Sequence, residues 1–220
     1  MRIVLLGPPG AGKGSLASLV QRRLGVRHVS TGNIFRQEIA RRSALGRRVH
    51  GYVTSGRLVP DALVVKVMAA RLGTTQLDRG LVLDGFPRTQ GQAAGLDRVL
   101  KRRGRPLDGA VYLTVPLAVL VRRLAGRRVC PRCGANYHVR TMKPKRPGRC
   151  DHCETRLIIR KDDEAATIKK RLAIDQVASK PLLAYYRRRG VLYRINGAGR
   201  LDETFEQARA LWIRLGWLKK

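Results

Sequence analysis

The chain has 220 residues, of which 44% are hydrophobic, so it can bury one substantial core and does not belong to the disordered class. Its 46 Lys and Arg against 15 Asp and Glu give a formal net charge of +31, spread along the chain instead of being confined to a tail. This charge attracts polyanions such as nucleotides, RNA or acidic membrane, although a surface shifted towards arginine would carry it without any such partner. The lack of a membrane-length apolar run and of a signal-peptide pattern predicts a cytoplasmic protein that does not enter the membrane.

Short β-rich runs recur along the chain, and most are continuously apolar, as expected for strands buried on both faces. They cover residues 3–7, 26–31, 80–86, 110–115 and 191–197. Helix-like segments alternate with them, at 13–24, 61–72, 89–103, 116–125, 163–188 and 202–215. This alternation predicts an α/β fold with a parallel sheet and helices on both sides.

Two stretches interrupt the alternation. Residues 30–59 have the pattern of short helices punctuated by glycines, and residues 126–163 hold all four cysteines and show no helical period. We interpret both as excursions from one core, which is formed by residues 1–29, 60–125 and 164–220.

The segment GPPGAGKGS, residues 7–15, follows a predicted strand and precedes a predicted helix, which is the context that a phosphate-binding loop requires. Its glycines allow backbone N–H groups to turn towards phosphate oxygens, and the N-terminus of the next helix adds positive potential. Lys13 is placed to reach the β- and γ-phosphates of a nucleoside triphosphate. Gly14 stands between Lys13 and Ser15, which departs from the general loop pattern of a hydroxyl residue directly after the lysine.

Asp84 ends an apolar run and is followed by Gly85. A carboxylate in this position can hold Mg²⁺ through water, since that ion keeps much of its hydration shell. The alternative is an acidic cap at the end of a strand, but the phosphate loop favours the metal.

The cysteines form two pairs, Cys130 with Cys133 and Cys150 with Cys153, at the spacing of a metal ribbon. Two such turns close a tetrahedron of thiolates around Zn²⁺ and leave no open coordination position, so the predicted role is structural. Disulfides are disfavoured in a cytoplasmic chain, four unligated thiols are the other alternative, and the spacing does not separate zinc from iron. His138 and His152 are candidate substitute ligands, which we expect to lie on the surface instead.

Taken in register, several segments resemble adenylate kinase over essentially the whole chain. These are GPPGAGKGS, STGNIFR (30–36), GRLVPD (56–61), LVLDGFPRT (81–89), GRRVCPRCG (126–134) and TRLIIRKDDEAATIKKRL (155–172). The resemblance implies a three-layer fold of the P-loop nucleoside triphosphate hydrolase type with a five-stranded parallel sheet. It further implies a nucleoside-monophosphate-binding insert at 30–59, a mobile zinc lid at 126–163, and transfer of a phosphoryl group from ATP to AMP by a monomer. Even the glycine after the lysine belongs to that family's own loop.

The resemblance also implies site residues. Around ATP it places Gly10, Ala11, Gly12, Lys13, Gly14, Ser15, Arg127 and Arg200. Around AMP it places Thr31, Arg36, Arg57, Val59, Gly85, Arg88, Gln92, Arg160 and Arg171. The transferred group would be neutralised by Lys13 and by four arginines that flank the cysteine segment, Arg123, Arg127, Arg160 and Arg171.

On the acceptor side, Arg36 and Arg88 would clamp the α-phosphate, and the Gln92 amide would read an adenine edge. Asn33 stands where the family usually has an acidic residue, which leaves the choice of monophosphate open. Two alternatives therefore remain, a kinase for another nucleoside monophosphate and a basic protein that binds RNA through the same fold. The cysteine segment has Tyr137 as its one aromatic residue, so a base-stacking platform is poorly supported.

Overall fold

A computed structural model describes residues 1–73 and 77–219; the predicted core ranges also include 74–76 and 220, which lie outside the described residues. The strands are β1 (Arg2–Leu6), β2 (Arg27–Ser30), β3 (Leu81–Asp84), β4 (Gly109–Thr114), β5 (Arg127–Val129), β6 (Asn136–His138) and β7 (Leu192–Asn196). The helices are α1 (Lys13–Leu24), α2 (Thr31–Ala40), α3 (Ala44–Thr54), α4 (Asp61–Gly73), α5 (Gln90–Arg102), α6 (Leu117–Ala125), α7 (Ala165–Arg188) and α8 (Leu201–Arg214). Among these described helices, none has both the length and the hydropathy to cross a bilayer.

Five strands form one parallel sheet in the order β2-β3-β1-β4-β7. All five predicted strands are confirmed, as is the α/β class. The three central strands, β3, β1 and β4, are apolar runs that the sheet buries, whereas the edge strands β2 and β7 are partly exposed. The two strands that periodicity did not predict, β5 and β6, pair with each other in an antiparallel arrangement outside this sheet.

The two faces of the sheet are covered by separate apolar clusters, because alternate residues of a strand point to opposite faces. Val4 and Leu83 pack with side chains of α4, α5 and α7 on one face. Leu5 and Val82 pack with side chains of α1 and α8 on the other, where Trp212 is fully buried. The result is a three-layer arrangement that holds the carboxyl ends of the strands at one edge.

Side-chain caps fix where several helices begin. The hydroxyl of Ser43 accepts a hydrogen bond from Gly46 N (2.9 Å) at the start of α3, and that of Thr89 accepts one from Gln92 N (3.1 Å) at the start of α5. Each cap satisfies an N–H group that has no partner within its helix. The cap of α2 is Ser30, the last residue of β2, so strand and helix join without a loop.

The two predicted excursions differ in how they are held. In residues 30–59, Phe35, Val49 and Val59 are buried in the same apolar cluster as β1 and β3. Residues 126–163 instead fold around a small cluster of their own, made by Cys130, Tyr137, Cys150 and Leu157. We call the first segment the insert and the second the ribbon.

Candidate functional site

The phosphate loop joins β1 to α1 at the carboxyl edge of the sheet. Gly12 precedes α1 with a φ of 96°, a left-handed conformation that glycine adopts without strain. A Cβ on Gly14 would lie 3.1 Å from Oδ2 of Asp84, so glycine at this position lets the carboxylate lie directly against the loop. The loop, the first turn of α1 and the end of β3 therefore form one concave surface.

Lys13 is folded inside this loop. Its Nζ donates hydrogen bonds to the carbonyl oxygens of Gly7 and Pro8, the latter at 2.9 Å. Burial lowers the pKa of Lys13 to about 8, against the opposing effect of the Asp84 and Asp175 carboxylates. The ammonium group therefore gains from any anion that enters the loop.

Asp84 is the carboxylate of the site. Its Oδ2 accepts a hydrogen bond from the Ser30 hydroxyl (3.2 Å) and lies 3.8 Å from Nε2 of His28. Burial alone would raise the pKa of Asp84, but the neighbouring His28 and Lys13 outweigh it and lower the pKa to about 2. The group is a charged oxygen donor, which is the kind of ligand that Mg²⁺ prefers.

A cavity of about 760 Å³ opens over the loop, between the insert and the ribbon. Most of the predicted site residues line it, namely Gly10, Ala11, Gly12, Lys13, Gly14, Ser15, Arg36, Asp84, Gly85, Arg88, Arg123, Arg127, Arg160, Arg171 and Arg200. Its lining carries ten Lys or Arg side chains and three carboxylates, Asp84, Asp202 and Glu203. The cavity is therefore strongly positive and suits a ligand with several negative charges.

Two of the predicted arginines are held by a pair of adjacent carboxylates at the end of the ribbon. Arg127 binds Asp163 with two hydrogen bonds, from Nε (2.6 Å) and from Nη2 (2.5 Å). Arg171, on α7, lies 2.7 Å from Asp163 Oδ1 and 2.9 Å from Asp162 Oδ2. One side chain of α7 therefore binds both acids and holds the end of the ribbon to this helix. Fork-shaped contacts of this kind fix the orientation of a guanidinium group.

Arg36 and Arg160 have no carboxylate in direct contact among the described residues. Arg36 donates to Oδ1 of Asn33 (2.8 Å), and Arg160 donates to Oδ1 of Asn136 (2.9 Å). Burial lowers the pKa of Arg36 to about 10 and lowers that of Arg160 as well, and the nearby arginines lower it further. Nε of Arg160 is buried without a hydrogen-bond partner. Asp162 opposes the lowering of both pKa values from a distance, so both cations would gain from an anion that enters the cavity.

Arg123 lies apart from this group. Its guanidinium donates to the carbonyl oxygens of Gly197 (2.7 Å), Ala198 (2.9 Å) and Gly199 (2.8 Å). A longer contact of 3.5 Å reaches the carbonyl of Ala11. Arg123 thus connects the phosphate loop to the turn before α8, at the end of the cavity where Arg200 lies.

Four predicted residues are not among those that line the cavity: Thr31, Arg57, Val59 and Gln92. The Thr31 hydroxyl donates to Gly85 O (2.7 Å), and the Arg57 guanidinium lies over the ring of Tyr52. Val59 is buried in the core.

Gln92 uses its amide within the protein. Its Nε2 donates to Asp61 Oδ1 (2.9 Å), and its Oε1 accepts from the backbone N of Arg88 (2.8 Å). Asp61 Oδ2 accepts from the Thr89 hydroxyl at 2.6 Å, so the same carboxylate holds both ends of this turn. The amide therefore holds the backbone of Arg88 at the cavity wall.

Sequence reasoning gave no role to Asp162, Asp163, Asn136 or His28. Asp162 and Asp163 lie next to each other in the segment 155–172. Because the chain has so few acidic residues, two adjacent ones indicate that arginines pair with them. Asn136 and His28 carry no comparable signal, because their contacts depend on how distant segments meet.

The four cysteine sulfurs of the ribbon converge, with all Sγ atoms within 4.8 Å of one another. Cys130 Sγ lies 3.3 Å from Cys153 Sγ, and Cys133 Sγ lies 3.4 Å from Cys150 Sγ. A tetrahedral Zn²⁺ site with Zn–S bonds of about 2.3 Å needs sulfurs roughly 3.8 Å apart, so the cluster fits such an ion. The Tyr137 hydroxyl supports it by accepting from Asp151 N (2.7 Å) and contacting Cys150 Sγ (3.5 Å).

The expectation that His138 is a surface residue is wrong. Its ring is buried against Gly126, and its Nδ1 accepts from the backbone N of Arg140 (3.1 Å) and Thr141 (3.2 Å). Neither His138 nor the exposed His152 belongs to the sulfur cluster. His138 instead packs where β6 meets the end of α6.

Insert and ribbon meet above the cavity. A Cβ on Gly134 in the ribbon would lie 3.4 Å from Nδ2 of Asn33 in the insert. A Cβ on Gly56, also in the insert, would overlap the side chain of Arg171 on α7. Since Asn33 and Arg171 line the cavity, the insert meets the ribbon and α7 at the cavity wall.

Comparisons with known proteins agree with this geometry. A family model described as adenylate kinase matches residues 5–191. A curated adenylate kinase of Clostridium botulinum (strain 657 / Type Ba4) is 44% identical over 93% of this chain and 95% of its own length. One from Moorella thermoacetica is 48% identical over 90% and 91%, and one from Clostridium kluyveri is 40% identical over 96% and 97%.

Proposed function

The chain belongs to the adenylate kinase family, and we propose the roles by which its residues carry out the reaction of that family. The enzyme transfers the γ-phosphoryl group of ATP to AMP and gives two ADP. The observation that carries the residue roles is the convergence of the phosphate loop and the buried arginines on one cavity. Because phosphoryl transfer leaves little covalent chemistry to the protein, positioning and charge are the main contributions.

On the donor side, the loop N–H groups and Lys13 bind the β- and γ-phosphates of ATP. The ammonium exchanges its two carbonyl partners for phosphate oxygens, which are stronger acceptors because they are charged. We propose that Arg123 and Arg200 contact the ATP side of the cavity near the turn before α8, which differs from the role at the transferred group that the resemblance gave Arg123.

On the acceptor side, Arg36 and Arg88 bind the α-phosphate of AMP. An oxygen of that phosphate attacks the γ-phosphorus of ATP while the bond to the β–γ bridging oxygen breaks. Arg127, Arg160 and Arg171 surround the group in transfer and stabilise its charge. Gln92 contributes by holding the backbone of Arg88. To read an adenine edge, as the resemblance implies, its buried amide would have to become accessible when AMP binds.

Asp84 is the residue that would hold Mg²⁺, through the ion's water ligands, beside Ser15. The ion supplies charge neutralisation between the β- and γ-phosphates. His28 stands behind Asp84 and favours its charged form.

The ribbon acts as a lid, and the insert binds the nucleoside monophosphate. The rest of the chain forms one core. Zn²⁺ held by Cys130, Cys133, Cys150 and Cys153 keeps the lid folded while it moves, and closure excludes water from the phosphates. We place the enzyme in the cytoplasm, where thiols stay reduced, and expect it to act as a monomer.

Replacing Lys13 by Ala tests the donor assignment. We expect ADP formation from ATP and AMP to fall by about three orders of magnitude or more, since a preorganised charge on the transferred group is removed. The matched control is Lys66→Ala, which removes an exposed lysine of α4 and should leave the rate unchanged. Near-normal turnover by a folded Lys13→Ala protein, judged by its melting curve, would contradict the assignment.

A further inference from the structure

The edge of the sheet opposite the nucleotide cavity gathers basic residues. Because the strands are parallel, all five begin at this edge, and α1, α4, α5, α7 and α8 end there. We call it the amino edge. Each strand has a cation at its first residue or shortly before it, so a row crosses the sheet in the order Arg27, Arg79, Arg2, Arg105 and Arg188.

Acids at this edge are few and already paired. Asp108 binds Arg2 (2.9 Å), Asp78 binds Arg105 (2.5 Å) and Asp97 binds Arg189 (3.0 Å). In the described ranges 1–73 and 77–219, seven exposed cations at the ends of α1, α5 and α7 and at the starts of β2 and β3 have no carboxylate partner: Arg22, Arg27, Arg79, Lys101, Arg102, Arg187 and Arg188. Arg214, at the end of α8, is a further one.

Helix dipoles account for part of this pattern. A basic residue in the last turn of a helix stabilises it through the partial negative charge of that end. One residue per helix is enough for that effect, which falls off within a turn. The consecutive cations at the ends of α5 and α7 exceed that need, and Arg27 and Arg79 lie outside any α-helix. The surplus points to an anionic partner.

The residue types at the amino edge favour a phosphate polymer over a membrane as the anionic partner. All of these free cations except Lys101 are arginines, whose planar forks match phosphate oxygens. The large apolar side chains that are exposed in the described part of the chain, Leu117, Val121, Val139, Ile158, Ile159 and Val177, lie on α6, on the ribbon or in the middle of α7. A surface that enters a membrane would carry such side chains itself.

The shape of the amino edge favours a single strand of nucleic acid over a duplex. Five strands spaced about 4.8 Å apart make a row of roughly 19 Å, and the sheet twists along it. A single strand of nucleic acid can follow this row, whereas a duplex is stiff over a much longer distance. Tyr186, the residue before Arg187, is fully buried, and Tyr185 is hydrogen-bonded to Asp97 and lies under Arg189. Neither ring offers an open face on which a base could stack.

We infer that the amino edge binds the phosphate backbone of single-stranded RNA, without reading its sequence, while the cavity on the opposite side turns over nucleotides. Contacts to phosphates carry no direct sequence information, and their strength falls steeply with salt.

The test is a titration of a fluorescein-labelled 20-nucleotide RNA, followed by anisotropy between 25 and 200 mM KCl. The edge variant Lys101→Gln/Arg102→Gln/Arg187→Gln/Arg188→Gln should bind at least tenfold more weakly than the unaltered chain at 50 mM KCl. Its slope of log K against log salt should be shallower by about 3, since each phosphate contact on a single strand contributes roughly 0.7. ADP formation should be unchanged, because the substituted residues lie at the opposite edge from the cavity.

The matched control removes four exposed cations from the ribbon, Arg132→Gln/Lys143→Gln/Lys145→Gln/Arg156→Gln, and should retain most of the RNA affinity. The double variants Lys101→Gln/Arg102→Gln and Arg187→Gln/Arg188→Gln should each give part of the loss, which guards against misfolding of the fourfold variant. Equal losses in the edge and ribbon variants would overturn the inference, because net charge alone would then explain binding. Undetectable RNA binding at 25 mM KCl would overturn it too, as would binding to phosphatidylglycerol vesicles without binding to RNA.

Discussion

The insert and the ribbon cover the same cavity but are stabilised in opposite ways. Phe35 and Val49 of the insert are buried in the cluster that also holds β1 and β3. The ribbon has a cluster of four buried residues, two of them cysteines, which is separate from both faces of the sheet. One cover is an extension of the core, and the other is a small unit that four sulfurs hold together.

This difference predicts different ways of losing structure. A substitution in the insert should lower the stability of the whole protein, since its apolar contacts are those of the core. Loss of the metal should melt the ribbon alone, since metal binding free energy replaces a core there. We therefore expect the ribbon to move as one unit, since its apolar cluster is separate from the core and its base is held to α7 through Arg171.

The largest effect should follow from removing two ligands, as Cys130→Ser/Cys153→Ser. We expect metal content to fall to background and backbone amides of the ribbon to lose protection from hydrogen exchange, while those of β1 and β4 keep it. The control His152→Ala alters an exposed neighbour outside the sulfur cluster and should change neither measurement. Protected ribbon amides in a metal-free protein would show that the sulfur cluster does not hold the fold.

Phe35→Ala in the insert should act globally. It removes a buried aromatic ring from the main cluster, at a cost of about 3 kcal/mol or more in the free energy of unfolding. Urea unfolding followed by tryptophan fluorescence measures this at Trp212 and Trp217, both of which pack in the cluster on the opposite face of the sheet. Val177→Ala, at a side chain that is 73% exposed, is the control and should change little. An unchanged urea midpoint for Phe35→Ala would place the insert outside the cooperative unit.

Tyr137→Phe should act on the metal and not on the core. The change removes the hydroxyl that contacts Cys150 Sγ and accepts from Asp151 N. Loss of such an outer contact weakens metal affinity by roughly tenfold or more. Competition with a chromophoric chelator measures it, and Tyr52→Phe in the insert is the matched control. Equal zinc affinity in Tyr137→Phe and the unaltered chain would remove this role.

Much of the architecture was predictable because its signals are local. The apolar runs define five buried strands, GPPGAGKGS defines the loop, and the spacing of Cys130, Cys133, Cys150 and Cys153 defines the sulfur cluster. Each pattern lies within a short segment, so no knowledge of distant contacts is needed to recognise it.

What could not be predicted depends on distant segments. The pairing of Arg127 and Arg171 with Asp163 requires the base of the ribbon to pack on α7. The burial of His138 follows from its position against Gly126, which brings β6 to the end of α6. Gln92 is enclosed because Asp61, from another helix, lies opposite its amide. In a chain so rich in arginine, sequence also gives no means of telling a paired cation from a free one.

The choice of acceptor tests the account most directly, since Asn33 lies beside Arg36 where the family usually has an acid. A coupled assay of ADP formation at near-physiological salt should compare AMP, GMP, CMP and UMP as acceptors for ATP, with Asn33→Asp as the matched variant. We predict that AMP is used with a kcat/KM at least ten times that of each alternative, by both proteins. Equal or faster use of GMP, CMP or UMP would contradict the assignment of this cavity to ATP and AMP.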